Sequence, residues 1–212
     1  RLFLSIIADY DLNRSICELV DNGLDVWVRT GRASPITIKI TLDEAQQRIC
    51  VEDNAGGLPK AELSYIVGPG QTGSAPTDET IGIFGVGTKR AVVALAQDIR
   101  IATRHGKRGA YQVDFDDKWL EDESWVLPLY EVDDIAPSTT IVDLQRLRMP
   151  VNEEVIDLLR DHLSATYARF LQNDAVTIEL NGKPLVPTFF DNWAYPPDYE
   201  PRRYKGTVRA ED

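Results

Sequence analysis

Four segments in the middle of this chain read as successive strands, and that succession limits the fold more than any other feature. "DIRIATR", "GAYQVDF", "SWVLPLYEV" and "TTIVDLQRL" are each rich in apolar and β-branched residues and bounded by polar or turn-forming ones. Upstream, "PITIKITLD" alternates Ile36, Ile38, Ile40 and Leu42 with polar residues. "QQRICVEDN" comes after a short polar turn, so the two predict an antiparallel pair whose second strand ends at Asp53. The result is an expected sheet of some six strands, which is not the alternating strand and helix chain of a parallel α/β protein. A final strand, "AVTIEL", runs into an "NGK" turn.

Helical periodicity brackets these strands. From Asn13 to about Arg29, Ile16, Leu19, Val20, Gly23 and Trp27 fall near helical spacing, with Gly31 as the stop. The other face of that helix carries Glu18, Asn22 and Asp25 at spacings of four and three. "LPKAELSYIV" predicts a short helix and "VGTKRAVVALAQ" another, while Asn152 caps a long amphipathic helix running to about Leu171. Between the two short helices, "GPGQTGSAPTDETIG" gathers Gly68, Pro69, Gly70, Gly73 and Pro76 into an irregular loop of a length usually kept for function.

Composition narrows the partners. With 43% hydrophobic and 27% charged residues the 212-residue chain is a globular one, and no apolar run approaches the roughly 20 residues that cross a bilayer. A net charge of −11 repels phosphate backbones, so direct nucleic-acid binding by these residues is not expected. The main basic cluster, Arg100, Arg104, His105, Lys107 and Arg108, is broken by Gly106 and reads as a solvated hairpin. Cys17 and Cys50 suit buried, reduced thiols of a cytoplasmic protein. His105 and His162 lack clustered partners, so a zinc site is not expected. The chain opens on Arg1 and its only methionine is Met149, as in a piece of a longer protein. One domain over residues 1–187 is expected, with the proline- and aromatic-rich 188–212 as a connection toward a further domain.

Three stretches carry chemistry. Glu18, Asn22 and Asp25 put two acids and an amide on one stripe. "DNAGG", Asp53 to Gly57, sets a carboxylate at a strand end beside glycines that admit close backbone approach. "GIFGVGTK" places Gly82, Gly85 and Gly87 ahead of a helix, where backbone amides and the helix N-terminus face anions. The Walker spacing G-x-x-x-x-G-K-[ST] is not present, so the phosphate grip is of another type.

These three motifs, in this order and with a long glycine-rich loop between the second and third, resemble the GHKL ATPases: gyrase B, heat-shock chaperones, histidine kinases and MutL. The resemblance covers roughly Leu2 to Val186. It implies a Bergerat fold, an α/β sandwich with helices on one face of a mixed, mainly antiparallel sheet. It further implies that Glu18 polarises the attacking water, that Asn22 ligates Mg²⁺, and that Asp25 is a supporting acid near the phosphates. Asp53 would accept the adenine amino proton and Gly57 would admit the base. Gly85, Val86 and Gly87 would offer amides to the phosphates, and Thr139, in "STTIVDL", would hold the adenine end. Ser138 stands where glycine is usual in that last strand, and Ala55 where the commonest second motif has its first glycine. Lys89 is left open between a phosphate contact and a solvent-facing helix start.

By the same resemblance, ATP and Mg²⁺ are the expected ligands, and hydrolysis is expected to drive closure of a lid, residues 68 to 84, and dimerisation of the parent protein. "ELVDN" more closely resembles the hydrolysing MutL, MORC and chaperone-like branches. Two alternatives remain: a histidine-kinase-like catalytic domain, and a module that senses ATP without consuming it.

Overall fold

The computed structural model describes residues 10–67, 86–121 and 126–189. Helix α1 spans Leu12–Arg29, followed by strands β1 (Ile36–Asp43) and β2 (Arg48–Asp53) and helices α2 (Lys60–Val67) and α3 (Val86–Leu95). Next come β3 (Ala96–Arg104), β4 (Ala110–Asp116), the short α4 (Asp117–Glu121), β5 (Leu129–Val132) and β6 (Thr139–Leu147). Helices α5 (Glu153–Thr166) and α6 (Ala168–Leu171) and strands β7 (Val176–Leu180) and β8 (Lys183–Pro184) complete it.

The strands of the described residues form one sheet in the order β5-β4-β3-β6-β2-β1-β7-β8. Every neighbouring pair is antiparallel except β1 and β7, whose parallel register sets Ile36 against Val176 and Ile40 against Leu180. The sheet is therefore larger than the expected six strands. Of "SWVLPLYEV" only Leu129–Val132 pairs, and residues 122–125 lie outside those described. The helix expected over 86–97 ends at Leu95, because Ala96 already pairs with Leu147 on β6.

One face of the sheet is apolar and the other wet. Ile36, Ile38, Ile40 and Leu42 on β1, Ile49 and Val51 on β2, and Val176, Ile178 and Leu180 on β7 are all buried under the helices. At about 1.5–3 kcal/mol for each fully buried side chain, that layer is the main driving force for the fold. The alternate residues face outward and pair by charge, Lys39 with Glu52, Arg48 with Asp143 and Arg100 with Asp114. This arrangement is the Bergerat fold, a mixed and mainly antiparallel sheet with helices on one face.

Helix α1 is the element that positions the site. The Asp11 carboxylate accepts from the Arg14 N–H and caps its first turn, and the chain leaves it through Gly31 at φ 74°. Its buried positions include Leu12, Ile16, Leu19, Val20 and Leu24, and also two polar residues, Asn22 and Asp25. Buried polar groups on a helix otherwise given to packing need partners or a purpose.

Candidate functional site

Asn22 is 7% exposed and Asp25 3% exposed, while Glu18 is partly buried. Two of the three face the start of α3. The Asn22 amide nitrogen donates to Thr88 Oγ1 at 2.8 Å, and Thr88 is itself 2% exposed. That bond commits the nitrogen and leaves the carboxamide oxygen as the end available to a cation. Glu18 lies against Gly87, where an added Cβ would come within 2.3 Å of Glu18 Oε2. A side chain at 87 would push the end of the Glu18 carboxylate aside, a shift that this flexible side chain can make.

The first turn of α3 has backbone N–H groups with no intrahelical partner, and the helix dipole adds positive potential there. Glu18, Asn22 and these amides thus meet at one place, an acid and an amide oxygen beside an anion-binding helix end. Lys89, on the same turn, is partly buried, and burial pushes its pKa down, which leaves both readings of it open. Gly85 and the 68–84 loop lie outside the described residues, and Val86 is described only as the first residue of α3.

At Gly23 the helix runs close over the sheet. A Cβ there would meet Ile38 Cδ1 at 3.3 Å and Asp53 Cβ at 3.4 Å. The small residue therefore brings Asp53 next to Asn22's turn and joins the first motif to the second. Asp53 Oδ1 accepts the Ala55 N–H at 2.9 Å, leaving Oδ2 for another donor. Burial pushes the Asp53 carboxyl up to about 6, an effect that the Ala55 N–H opposes and the Glu52 charge reinforces slightly. Ala55 costs nothing in this geometry, since the bond comes from its backbone.

The adenine end implied by the sequence is built from three turns that hold one another. Gly56 N–H donates to Ser138 O, Ser138 N–H to Gly106 O, and Gly106 N–H to Gly56 O, at 3.0–3.1 Å. Ser138 adopts φ 61°, a left-handed conformation that explains why glycine would be usual there. The hairpin read as solvated is thus anchored at its tip, with His105 Nδ1 3.2 Å from Gly57 O. Arg104 is partly buried and donates to Arg108 O and Ile135 O, whereas Lys107 and Arg108 are exposed. Thr139 is buried beside this ring, its hydroxyl donating to Pro137 O, and Thr103 Oγ1 links Leu58 N–H to Thr139 O.

Gly57 has φ 69°, and a Cβ would fall 2.1 Å from Arg104 O. The backbone of β3 therefore forbids a side chain here, whatever the site binds. Gly57→Ala is expected to cost about 3 kcal/mol or more in denaturant unfolding, since neither backbone can yield. Gly106→Ala, at φ 56° with open space around it, should cost only about 1–2 kcal/mol.

Gly23 is read in the sequence only as part of the packing face, and Thr88 and Tyr10 are not singled out by sequence reasoning. Thr88 is within its reach, since it follows Gly87 directly and could face any partner of that loop. Tyr10 precedes α1 and donates to Glu18 Oε1 at 3.3 Å, a contact no spacing rule signals. Cys17 and Cys50 are free and partly rather than fully buried, and burial pushes both thiols up to about 11. Among the described residues no three His, Cys, Asp or Glu side chains gather as a metal site. A Mg²⁺ that keeps its waters and binds phosphate needs only one or two protein oxygens, so the Asn22 oxygen beside an anion-binding helix end fits it. A cavity of about 460 Å³, lined by Asp98, Arg100, Asp114, Tyr130 and Asp143, is found away from these motifs. Three of its acids, Asp98, Asp114 and Asp143, are already paired with arginines.

Residues 10–145 match the family described as histidine kinase-, DNA gyrase B-, and HSP90-like ATPase, and the chain belongs to that family. The fold is shared with solved structures of type II topoisomerases. The ATPase region of Saccharomyces cerevisiae topoisomerase II aligns with a TM-score of 0.61 at 18% identity, covering 82% of this chain and 48% of that one. The same region bound to ICRF-187 (dexrazoxane) gives 0.60, also at 18% identity with the same coverage. The ATPase and transducer domains of topoisomerase II from Balamuthia mandrillaris give 0.63 at 16% identity, covering 83% of this chain and 48% of that one. This chain spans about half the length of those structures. A search of curated protein sequences gave no match.

Proposed function

We propose that this domain binds Mg–ATP and hydrolyses it slowly, and that binding closes the 68–84 loop and dimerises a larger parent protein. The observation that carries the reading is the meeting of Glu18 and Asn22 with the N-terminal turn of α3, beside Asp53. Asp53 Oδ2 would accept the amino proton of adenine, Thr139 would support the same end, and Gly57 would leave room for the base. Gly85, Val86 and Gly87 would direct amides at the phosphates, with Asp25 as a supporting acid. Glu18 would hold the attacking water and take its proton, the work of a general base. The cation, held by Asn22, would offset charge on the phosphate oxygens.

Residues 1–187 would form the ATP-binding domain, and 188–212 would connect it to a further domain. With Cys17 and Cys50 as reduced thiols the protein would be cytoplasmic, and its net charge argues against direct nucleic-acid contact by this part. No helix among the described residues is long and apolar enough to cross a membrane.

Asn22→Ala tests the metal assignment. The variant should fold, bind adenosine as the wild type does, and lose most of the Mg²⁺ dependence of ATP binding in calorimetric titrations. An unchanged Mg²⁺ dependence would assign the metal to another ligand.

A further inference from the structure

Tyr10, just before α1, and Arg14 and Glu18 on it follow one another at intervals of four. The Arg14 guanidinium lies 4.5 Å from the centre of the Tyr10 ring, and the Tyr10 hydroxyl donates to Glu18 Oε1 at 3.3 Å. The other carboxylate oxygen, Oε2, abuts Gly87 at the head of α3. One oxygen is therefore held from outside the cleft while the other is presented to the place where phosphate amides and attacking water would meet.

We infer that Tyr10 is a positioning residue for Glu18, fixing the carboxylate so that Oε2 carries the water. The inference rests on the hydrolytic reading of the site. A glutamate has three rotatable bonds, and a base must stand within hydrogen-bond reach of the proton it takes. A donor on one oxygen, with Gly87 leaving room for the other, favours one orientation of the carboxylate. A small misplacement of a reacting group is enough to cost a large factor in rate. Burial raises the Tyr10 phenol above its usual value and the Glu18 charge raises it further, while Arg14 and Arg90 pull it down. The phenol therefore stays a protonated donor across the working pH range.

The test uses the whole chain and Tyr10→Phe, which keeps the ring and the Arg14 contact. Its kcat for ATP should fall about 5- to 30-fold, with KM, melting temperature and affinity for a non-hydrolysable ATP analogue unchanged. In a Glu18→Ala background the same change should have no further effect on the residual rate, since Tyr10 acts only through that acid. Independently of nucleotide, Glu18→Gln should lower the pH at which one tyrosine ionises in ultraviolet difference titration, and Tyr10→Phe should abolish that difference. Tyr10→Phe hydrolysing ATP like wild type, or losing KM, kcat and stability together, would overturn the positioning role. A wild type with no hydrolysis at all would overturn the hydrolytic reading and the positioning role with it, even if the tyrosine titration still reported the contact.

Discussion

Glu18→Ala is expected to bind Mg–ATP about as well as wild type and to hydrolyse it roughly 10²–10⁴-fold more slowly. The separation comes from where the side chain stands. Glu18 is not the residue that Thr88 ties to α3, and it is not at the base end, so its loss removes neither the amide held for the metal nor the Asp53 carboxylate. What disappears is the acid next to the N-terminal turn of α3, where a proton would be taken from water beside a phosphate. Phosphate release under single-turnover conditions and calorimetry with Mg–ATP measure the two properties separately. In the full-length parent, the ATP-bound state of the variant should persist and accumulate as a dimer detectable by light scattering. If wild type shows no turnover above background and the variant matches it in every assay, the domain senses ATP without consuming it.

Asp53→Ala should weaken adenine-nucleotide binding by about 1.5–3 kcal/mol, roughly 10- to 150-fold, through loss of a charged acceptor for a buried amino group. The same carboxyl gives a pH signature whose sign can be worked out. Its folded value of about 6 stands above the ordinary aspartate value near 3.9 in the unfolded chain. Between those two the folded state binds more protons, so this group makes the protein more stable as pH falls from about 6 toward 4, and less stable as pH rises again. Asp53→Asn should therefore gain stability over wild type above about pH 6 and lose that advantage near pH 4, as urea denaturation at several pH values would record. Adenosine affinity should fade below about pH 6 as the acceptor takes a proton. Adenosine is the suitable probe, because the phosphates of ATP titrate in the same range. Equal ATP affinity in Asp53→Ala and wild type would remove Asp53 from the base site.

The parts of this fold that obey local rules are legible in the sequence. The Ile36 to Leu42 alternation, the Asn152 cap and the Glu18, Asn22, Asp25 stripe each encode their structure within a few residues. The pairing of β1 with β7 is not legible, because a parallel partner is chosen by the tertiary fold and no turn chemistry announces it. The passage from α3 straight into β3 is hidden for a related reason: "ALAQDIRIA" contains no glycine or proline, and Leu147 on β6 decides where pairing begins. At the site, the motifs supply the glycines but only one of the reasons for them. Gly57 is also required by the Arg104 carbonyl, while Gly87 leaves room for the Glu18 carboxylate, and both neighbours come from distant segments. The basic hairpin reads as solvated although its tip is anchored, because the groups that hold it are backbone ones, which leave no mark on residue type.

The lone parallel pairing also bears on how the chain can be made. Leu42 N–H donates to Asn181 Oδ1 at 2.8 Å, across 139 residues of intervening sequence. At ribosomal speeds of about 5–20 residues per second, β1 waits on the order of ten to thirty seconds for the strand that covers its open edge. Through that interval a ladder of unpaired backbone groups sits beside the alternating isoleucines of β1, the kind of edge that recruits other chains. A nascent chain stalled before β7 would carry that edge exposed, so synthesis rate and chaperone access become determinants of yield for a domain whose proposed site residues have mostly emerged by then.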